Sequence, residues 1–539
     1  MTGRSTRITA IAAIAAGAIM SLSSANALAL PAFPCAEGFG AESLGGRGGA
    51  VIKVTNLDDD GPGSFRAAVT TAGARIVVFE VSGIINLASN ITIADPFLTI
   101  AGQTSPGGVL ITGRTVSINT HDVVVQYLRF RVGSHEIANG ADPEQLDALV
   151  VVGQHWAANA AYQVIIDHCS VGWGVDECLS LSGGVTDTTV QWTLVSEGLS
   201  NAGHPKGEHS KGLLISGKYV EPNSITLHHN YIANNVDRNP QIASPEGVDT
   251  VVDVVNNVSY NWKGGLAPVG IGNAKINWVH NFAKQGPNSH AYSFEVTHVP
   301  DPTPIPQLYV HGNLGSSRLD QTEDHWNVGV SWQNEALDQA WEQITPWPAP
   351  PVITTEMSAT YADEILQTVG ASLPVRDAAD QKAIDDYHNG TGDFVDDVSY
   401  PADYPQYASP PAPPDADNDG MPDAWEDSQG LDNGSDDSAL DPDANGYTHI
   451  EEYLHSLSVP CVNGSSGSGG GGTGGANTGA GGAGAAGHGG STATAGGNPS
   501  DGTDSDSGCG CKLVAPKPQS GSSYGWLLVA AALLRRRRN

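Results

Sequence analysis

One asparagine returns at the same place in four successive β-branched runs: Asn230 in SITLHHNYI, Asn257 in VVDVVNNVSY, Asn281 in KINWVHNFA and Asn313 in QLYVHGNLG. The intervals of 27, 24 and 32 residues each hold three short strands and their turns, which is one coil of a parallel β-helix among the repeat folds. Asparagine suits a coil corner, because it tolerates left-handed backbone and its amide can bond to the next coil. Earlier runs such as VLITGRTVSI, VVVQYLRFRV, VIIDHCSV and TTVQWTLV extend the pattern over residues 50–315. A β-sandwich would need hairpin turns about every 8 to 12 residues, and Asn-Gly signals of that kind are largely missing. GSFRAAVTTA, residues 63–72, reads as a short amphipathic helix able to cover the open end of a solenoid.

With 539 residues the chain has room for two or three domains. Within 332–390 the pieces NEALDQAWEQI and RDAADQKAIDDYH are helix-prone, placed to pack against the solenoid or to close its far end. The proline-rich stretch 401–414 reads as a semi-rigid linker. DADNDGMPDAWE then places Asp415, Asp417, Asp419, Gly420, Asp423 and Glu426 at positions 1, 3, 5, 6, 9 and 12 of an EF-hand-type loop. A second copy, DPDANGYTHIEE, places Asp441, Asp443, Asn445, Gly446 and Glu452 at positions 1, 3, 5, 6 and 12. Carboxylates this dense repel one another unless a hard cation neutralises them, so two spaced copies favour a small helical calcium-binding module over a solvated acidic linker. The module spans 415–462, and 463–508 is a flexible, disordered Gly/Ser-rich segment without a core. The last stretch, 509–539, combines Cys509 and Cys511, an apolar run from Tyr524 to Leu534 and four arginines.

A formal charge of -33 and a pI near 4.6 argue against nucleic-acid binding, which basic residues drive. Residues 1–27 form a secretory signal peptide, with Arg4 and Arg7, an apolar run from Ile8 to Leu22, and Ala25-Asn26-Ala27 as the cleavage site. That run is too short for a membrane span, which takes about 20 apolar residues. The mature protein is therefore expected outside the cytoplasm. Six cysteines are compatible with bridges in an oxidising compartment, although spacing does not define connectivity. We expect Cys35, at the start of the mature chain, to pair with Cys461; Cys169 and Cys178 are left open.

Lys211 and Arg238 flank the strand-like run ITLHHNYI. Successive coils bring residues one or two repeats apart into one surface groove, so the two cations can share a cleft. Such a cleft suits a polyanion, and the arginine fork suits planar carboxylates.

The segments AEGFGAESLGGRGG, GPGSFRAAV, IAGQTSPGG, VIIDHCSVGWGVDE, HSKGLLISG and LHHNYIANNVDRNP occur in one order between about Phe33 and Tyr387. In these segments the chain resembles the bacterial pectate lyases, which are right-handed parallel β-helices. The resemblance implies an all-β, right-handed parallel β-helix domain over 28–400 and calcium-dependent β-elimination of polygalacturonate. It further implies Arg238, in Arg238-Asn239-Pro240, as the base, and Lys211 as the contact to the substrate carboxylate. Asp147 and Asp176 match ligands of the catalytic calcium, with Glu177 adjacent. The chain departs from the family where a second carboxylate is often found, at Ser180, and where a second basic residue is often found, at Ala243. His204, Lys206 and His209 stand near enough in sequence to supply the missing positive charge to substrate. The acidic module resembles a dockerin, and the tail resembles the surface-sorting signal of myxobacterial exported proteins. A secreted monomer, held at the membrane or cell surface by its tail, is therefore expected. A glycoside hydrolase on the same fold would need carboxylates flanking the scissile bond. A non-catalytic polysaccharide-binding surface protein is the alternative from another class.

Overall fold

The computed structural model describes residues 30–461 apart from 154–160, 218–222, 245–248, 264–273, 290–294, 297–305, 316–330 and 333–341. The signal segment 1–27, the Gly/Ser-rich segment 463–508, the tail 509–539 and most of NEALDQAWEQI lie outside the described residues.

Among the described residues, three parallel sheets wind around one axis. The first has ten strands, from Ala50–Val54 to Gln307–His311. The second has nine, from Gly83–Asn86 to Leu314–Gly315, and the third has six, from Ile91–Ile93 to Gln241–Ala243. One coil takes a strand from each sheet in turn: Val164–Asp167, Ser170–Gly172, then Glu177–Gly183. The next coil runs Thr188–Gln191, Leu194–Ser196, Lys211–Gly217. This is the right-handed parallel β-helix expected from the sequence.

Register stacks like on like. Ile100, Val125, Ile166, Val190, Leu227, Val254, Trp278 and Val310 pair coil to coil in the first sheet and form one buried row inside the solenoid. Each such side chain contributes roughly 1.5 to 3 kcal/mol through burial, and β-branched residues fit the pleat best.

The repeated asparagines form a ladder beside this row. The Asn257 carboxamide oxygen accepts from the Asn230 N–H at 3.0 Å and from its amide at 2.9 Å. Asn281 serves Asn257 in the same way, and Asn313 serves Asn281. The left-handed backbone expected at these asparagines falls one residue earlier, on His229, Asn256, His280 and Gly312. The preceding residue makes the turn, which leaves the asparagine free to aim its amide along the axis.

The expected cap is a helix over Phe65–Val69, with the Ser64 hydroxyl accepting from the Ala67 N–H and Phe65, Ala68 and Val69 buried. RDAADQKAIDDYH becomes the helix Ala378–Asn389, capped by the Asp377 carboxylate. Together with the helix Ala359–Thr368 it covers the second sheet at Leu194, Tyr231, Val258 and Tyr260. Beneath it, Arg131 pairs with Asp377 at 2.7 Å and with Asp380.

The stretch 401–414 does not stand clear of the solenoid, because the Tyr404 ring is buried and its hydroxyl lies 3.1 Å from that of Thr112. After it, the helices Asp423–Gln429 and His449–Leu457 bring Met421, Ile450, Tyr453 and Leu454 onto Ile76, Val78 and Ala101, on the outer face of the first sheet. Arg47 pairs with Glu451 at 2.9 Å, and Cys35 is bonded to Cys461 with a Cα separation of 5.5 Å. Among the described residues, no helix is long and apolar enough to cross a membrane.

Candidate functional site

Strand register in the third sheet assembles the site. Leu149 pairs with Leu179, which sets Asp147 level with Glu177; Glu177 pairs with Lys211, and Lys211 bridges to Asp237. Four consecutive coils thus bring Asp147, Glu177, Lys211 and Asp237 into one row, with Asp176 and Arg238 beside it. Close coil packing demands glycine here: a Cβ on Gly212 would stand 2.7 Å from the Arg238 carbonyl, and one on Gly174 would run into the Glu177 carbonyl.

Asp147, Asp176 and Glu177 each present a carboxylate oxygen within 4.8 Å of the others. Burial and the Asp176 charge push Asp147 up to about 7. Asp176 goes the other way: burial opposes its ionisation, but a 2.9 Å hydrogen bond from His209 Nε2 and nearby positive charge hold it below the usual carboxylate range. Glu177 is buried and ion-paired with Arg238. Arg238 has left-handed backbone and lies in a desolvated setting that lowers its pKa, against the opposing pull of Asp176 and Asp147. Lys211 Nζ donates to Asp237 Oδ2 at 3.0 Å.

Asp237 is absent from the sequence reading; its place directly before Arg238 was the available signal. The two histidines are buried beside Asp176. His204 and His209 side chains are only 1% and 4% exposed, their rings stack at 3.7 Å, and both aim Nε2 at Asp176 Oδ1. His209 is hydrogen-bonded to Asp176 and His204 stands 3.4 Å from the same oxygen, so the 201–210 loop lies against the Asp176 turn. Lys206 stands at the rim with its side chain 63% exposed, 3.8 Å from Glu144. Ser180 and Ala243 lie further along the same strands, with Ser180 buried.

The acidic module holds a second convergence of carboxylates. Asp415, Asp417 and Asp419 come within 4.8 Å of one another, as do Asp419, Glu426 and Asp437. Burial and neighbouring charge raise Asp419 to about 6 and Glu426 to about 7. Asp423, assigned position 9, is not in either group, since its Oδ1 caps the Ala416 N–H at 2.8 Å. In the second loop Asp441, Asp443 and Glu452 form no such group among the described residues. The Asn445 amide instead donates to Asp443 Oδ2 at 3.1 Å and Glu452 Oε1 at 2.8 Å, filling the loop with its own hydrogen bonds.

A right-handed parallel β-helix with an ionic row crossing its third sheet defines the structural class. Among curated proteins, the chain is 33% identical over 441 residues to the probable pectate lyase C of Aspergillus flavus, covering 80% of this chain and 94% of that protein. It is 34% identical over 443 residues to the probable pectate lyase C of Aspergillus terreus, with the same coverage of 80% and 94%. Pectate lyase 5 of Ambrosia artemisiifolia is 28% identical over 180 residues, covering 30% of this chain and 43% of that one. No family model matches. Solved structures similar to it include the major cedar pollen allergen jun a 1, with TM-score 0.45 and 17% identity over 62% of this chain and 92% of that one. A Bacillus subtilis pectate lyase variant gives TM-score 0.44 and 15% identity over 64% and 98%. On the coverage and identity of the Aspergillus relatives, the chain belongs to the pectate lyase family and is a polysaccharide lyase.

Proposed function

We propose that the chain cleaves polygalacturonate by calcium-dependent β-elimination, with Arg238 as the base. One observation carries this reading: two cations, Lys211 and Arg238, and three carboxylates, Asp147, Asp176 and Glu177, meet on neighbouring coils at one side of the third sheet. The carboxylates fit a hard cation. Three desolvated oxygens converge, and Asp147 is held protonated up to about pH 7 when no ion balances it. When bound there, calcium neutralises the uronate and stabilises the charge that develops beside it.

The chain's own residues do the rest. Lys211 binds the uronate carboxylate and orients the sugar. Arg238 removes the C5 proton, the C4–O bond breaks, C4 and C5 become doubly bonded, and the departing oxygen takes a proton from water, while Arg238 returns its proton to solvent. An arginine acts as base only if its proton is loosely held, and desolvation of Arg238 works in that direction. Glu177, ion-paired with Arg238, opposes it and would also be one of the carboxylates holding the cation. His204 and His209 hold Asp176 ionised and aimed at that site.

Digestion of polygalacturonate with calcium and with chelator tests this function. Unsaturated, ultraviolet-absorbing ends that form only with calcium are expected; reducing ends without that absorbance would mean hydrolysis and overturn it. Export fits with this role. The signal segment and the Cys35–Cys461 bond, of a kind that persists in oxidising compartments, support a secreted protein, with 509–539 as its surface attachment.

A further inference from the structure

The first acidic loop holds buried carboxylate oxygens without partners, and a carboxylate from outside its twelve-residue pattern approaches them. Glu426 is completely buried, yet neither of its carboxylate oxygens has a hydrogen-bond partner. Asp419 Oδ2 and Asp417 Oδ2 are buried without partners as well. Unpaired buried carboxylates cost several kcal/mol each unless a counter-ion is present. Among the described residues, Lys53 is the cation that reaches the loop; it binds Asp415 Oδ2 at 2.6 Å and divides itself with Glu80 at 2.9 Å. It leaves the Glu426 end uncompensated. There the approaching group is another acid: Asp437, from beyond the helix that follows the loop, brings an oxygen within 4.8 Å of both Asp419 and Glu426. Its Oδ1 is held by His449 Nδ1 at 3.1 Å, which aims the carboxylate.

We propose that Asp437 is a ligand of a calcium ion caged by Asp415, Asp417, Asp419 and Glu426, taking the side of the cage that the loop pattern assigns to Asp423. All donors are oxygens and the net charge is strongly negative, which selects a hard divalent cation. The ion sits against the solenoid. Asp415 is tied to Lys53 of the first strand, Gly420 lies against Val51 and Val78, and Met421 is buried among Ile76 and Val78. Its binding therefore fastens the module to the first sheet through Asp437 as well as through the loop.

The inference rests on reading the first loop as a calcium site, and the test separates the two. Full-length protein freed of calcium is titrated with CaCl2 by calorimetry and melted at each calcium level, as wild type and as Asp437→Asn, Asp437→Glu, Asp436→Asn and Asp415→Asn. Asp437→Asn should weaken the tightest calcium transition at least tenfold and shrink the calcium-dependent rise in Tm. Asp436→Asn, with the same change of charge one residue away, should titrate as wild type. Asp437→Glu keeps the charge and so guards against a variant that fails to fold; it should also weaken the transition. If both Asp437 variants bind as wild type while Asp415→Asn does not, Asp437 is no ligand. If Asp415→Asn also binds as wild type, the reading of the loop itself is wrong. Equal weakening by Asp436→Asn would reduce the effect to net charge and overturn the proposal.

Discussion

In the proposed reaction, turnover rests on Arg238. It sits among three carboxylates and is desolvated by the turn that carries it. Arg238→Ala and Arg238→Lys should each lower kcat by about 100- to 10,000-fold, the range of a lost general base, with the circular dichroism melt unchanged. Near wild-type turnover in Arg238→Ala would remove it from the chemistry. Asp147 gives a pH signature. Its folded pKa lies well above its ordinary 3.8, at about 7, so between those values the native state binds a proton that the unfolded state has released. Calcium-free protein should therefore lose stability as pH rises from about 4 to 7, while calcium affinity should rise over the same interval. Urea titrations across pH check the first and calorimetry the second; Asp147→Asn should flatten the stability trend.

At the level of elements, the asparagine ladder joins coils where apolar packing alone leaves register loosely specified. The Asn257 amide donates to Leu227 O at 2.9 Å, Val255 O at 3.2 Å and Asn281 Oδ1 at 3.0 Å, and its oxygen receives two bonds from Asn230. Replacement by leucine strands buried donors on Asn230 and acceptors on the neighbouring strands. Asn257→Leu should cost about 2 to 4 kcal/mol in denaturant unfolding, since each orphaned group costs about 1 to 3 kcal/mol. A cost under about 0.5 kcal/mol would show that the ladder is ornamental. Gly212 tests the groove: its alanine variant must displace the Arg238 carbonyl, so activity should fall further than stability.

Across the whole molecule, the acidic module and the disulfide brace the first sheet from outside. Cys35 and Cys461 stand 426 residues apart in sequence, and closing so long a loop removes roughly 6 kcal/mol of unfolded-state entropy in the chain-entropy picture. A chain ending before Asp415 loses this bond and uncovers Ile76, Val78 and Ala101. Such a chain should melt several degrees lower yet retain most of its turnover at low temperature, because the groove lies on the third sheet. Loss of turnover in the folded truncated chain would mean that the module takes part in catalysis. Mild chelation should likewise abolish activity before it lowers Tm, as the cleft carboxylates are more exposed than Glu426 and Asp419.

Repetition made the fold legible, because a coil buries the same side of each strand and so writes its period into the chain. The asparagine intervals therefore announced the β-helix, and amphipathic and helix-prone patterning marked the helices Phe65–Val69 and Ala378–Asn389. Lys211 and Arg238 could be placed in one groove by the same reasoning. What the sequence could not determine is how loops of irregular length return. The 201–210 loop folds His204 and His209 against Asp176, and the chain beyond Glu426 brings Asp437 back to a loop it does not belong to. Pairing of Asp237 with Lys211 depends on a one-residue offset between neighbouring coils. Such contacts join residues 11 to 33 positions apart through backbone paths that no local period dictates, so only the packed tertiary structure decided them.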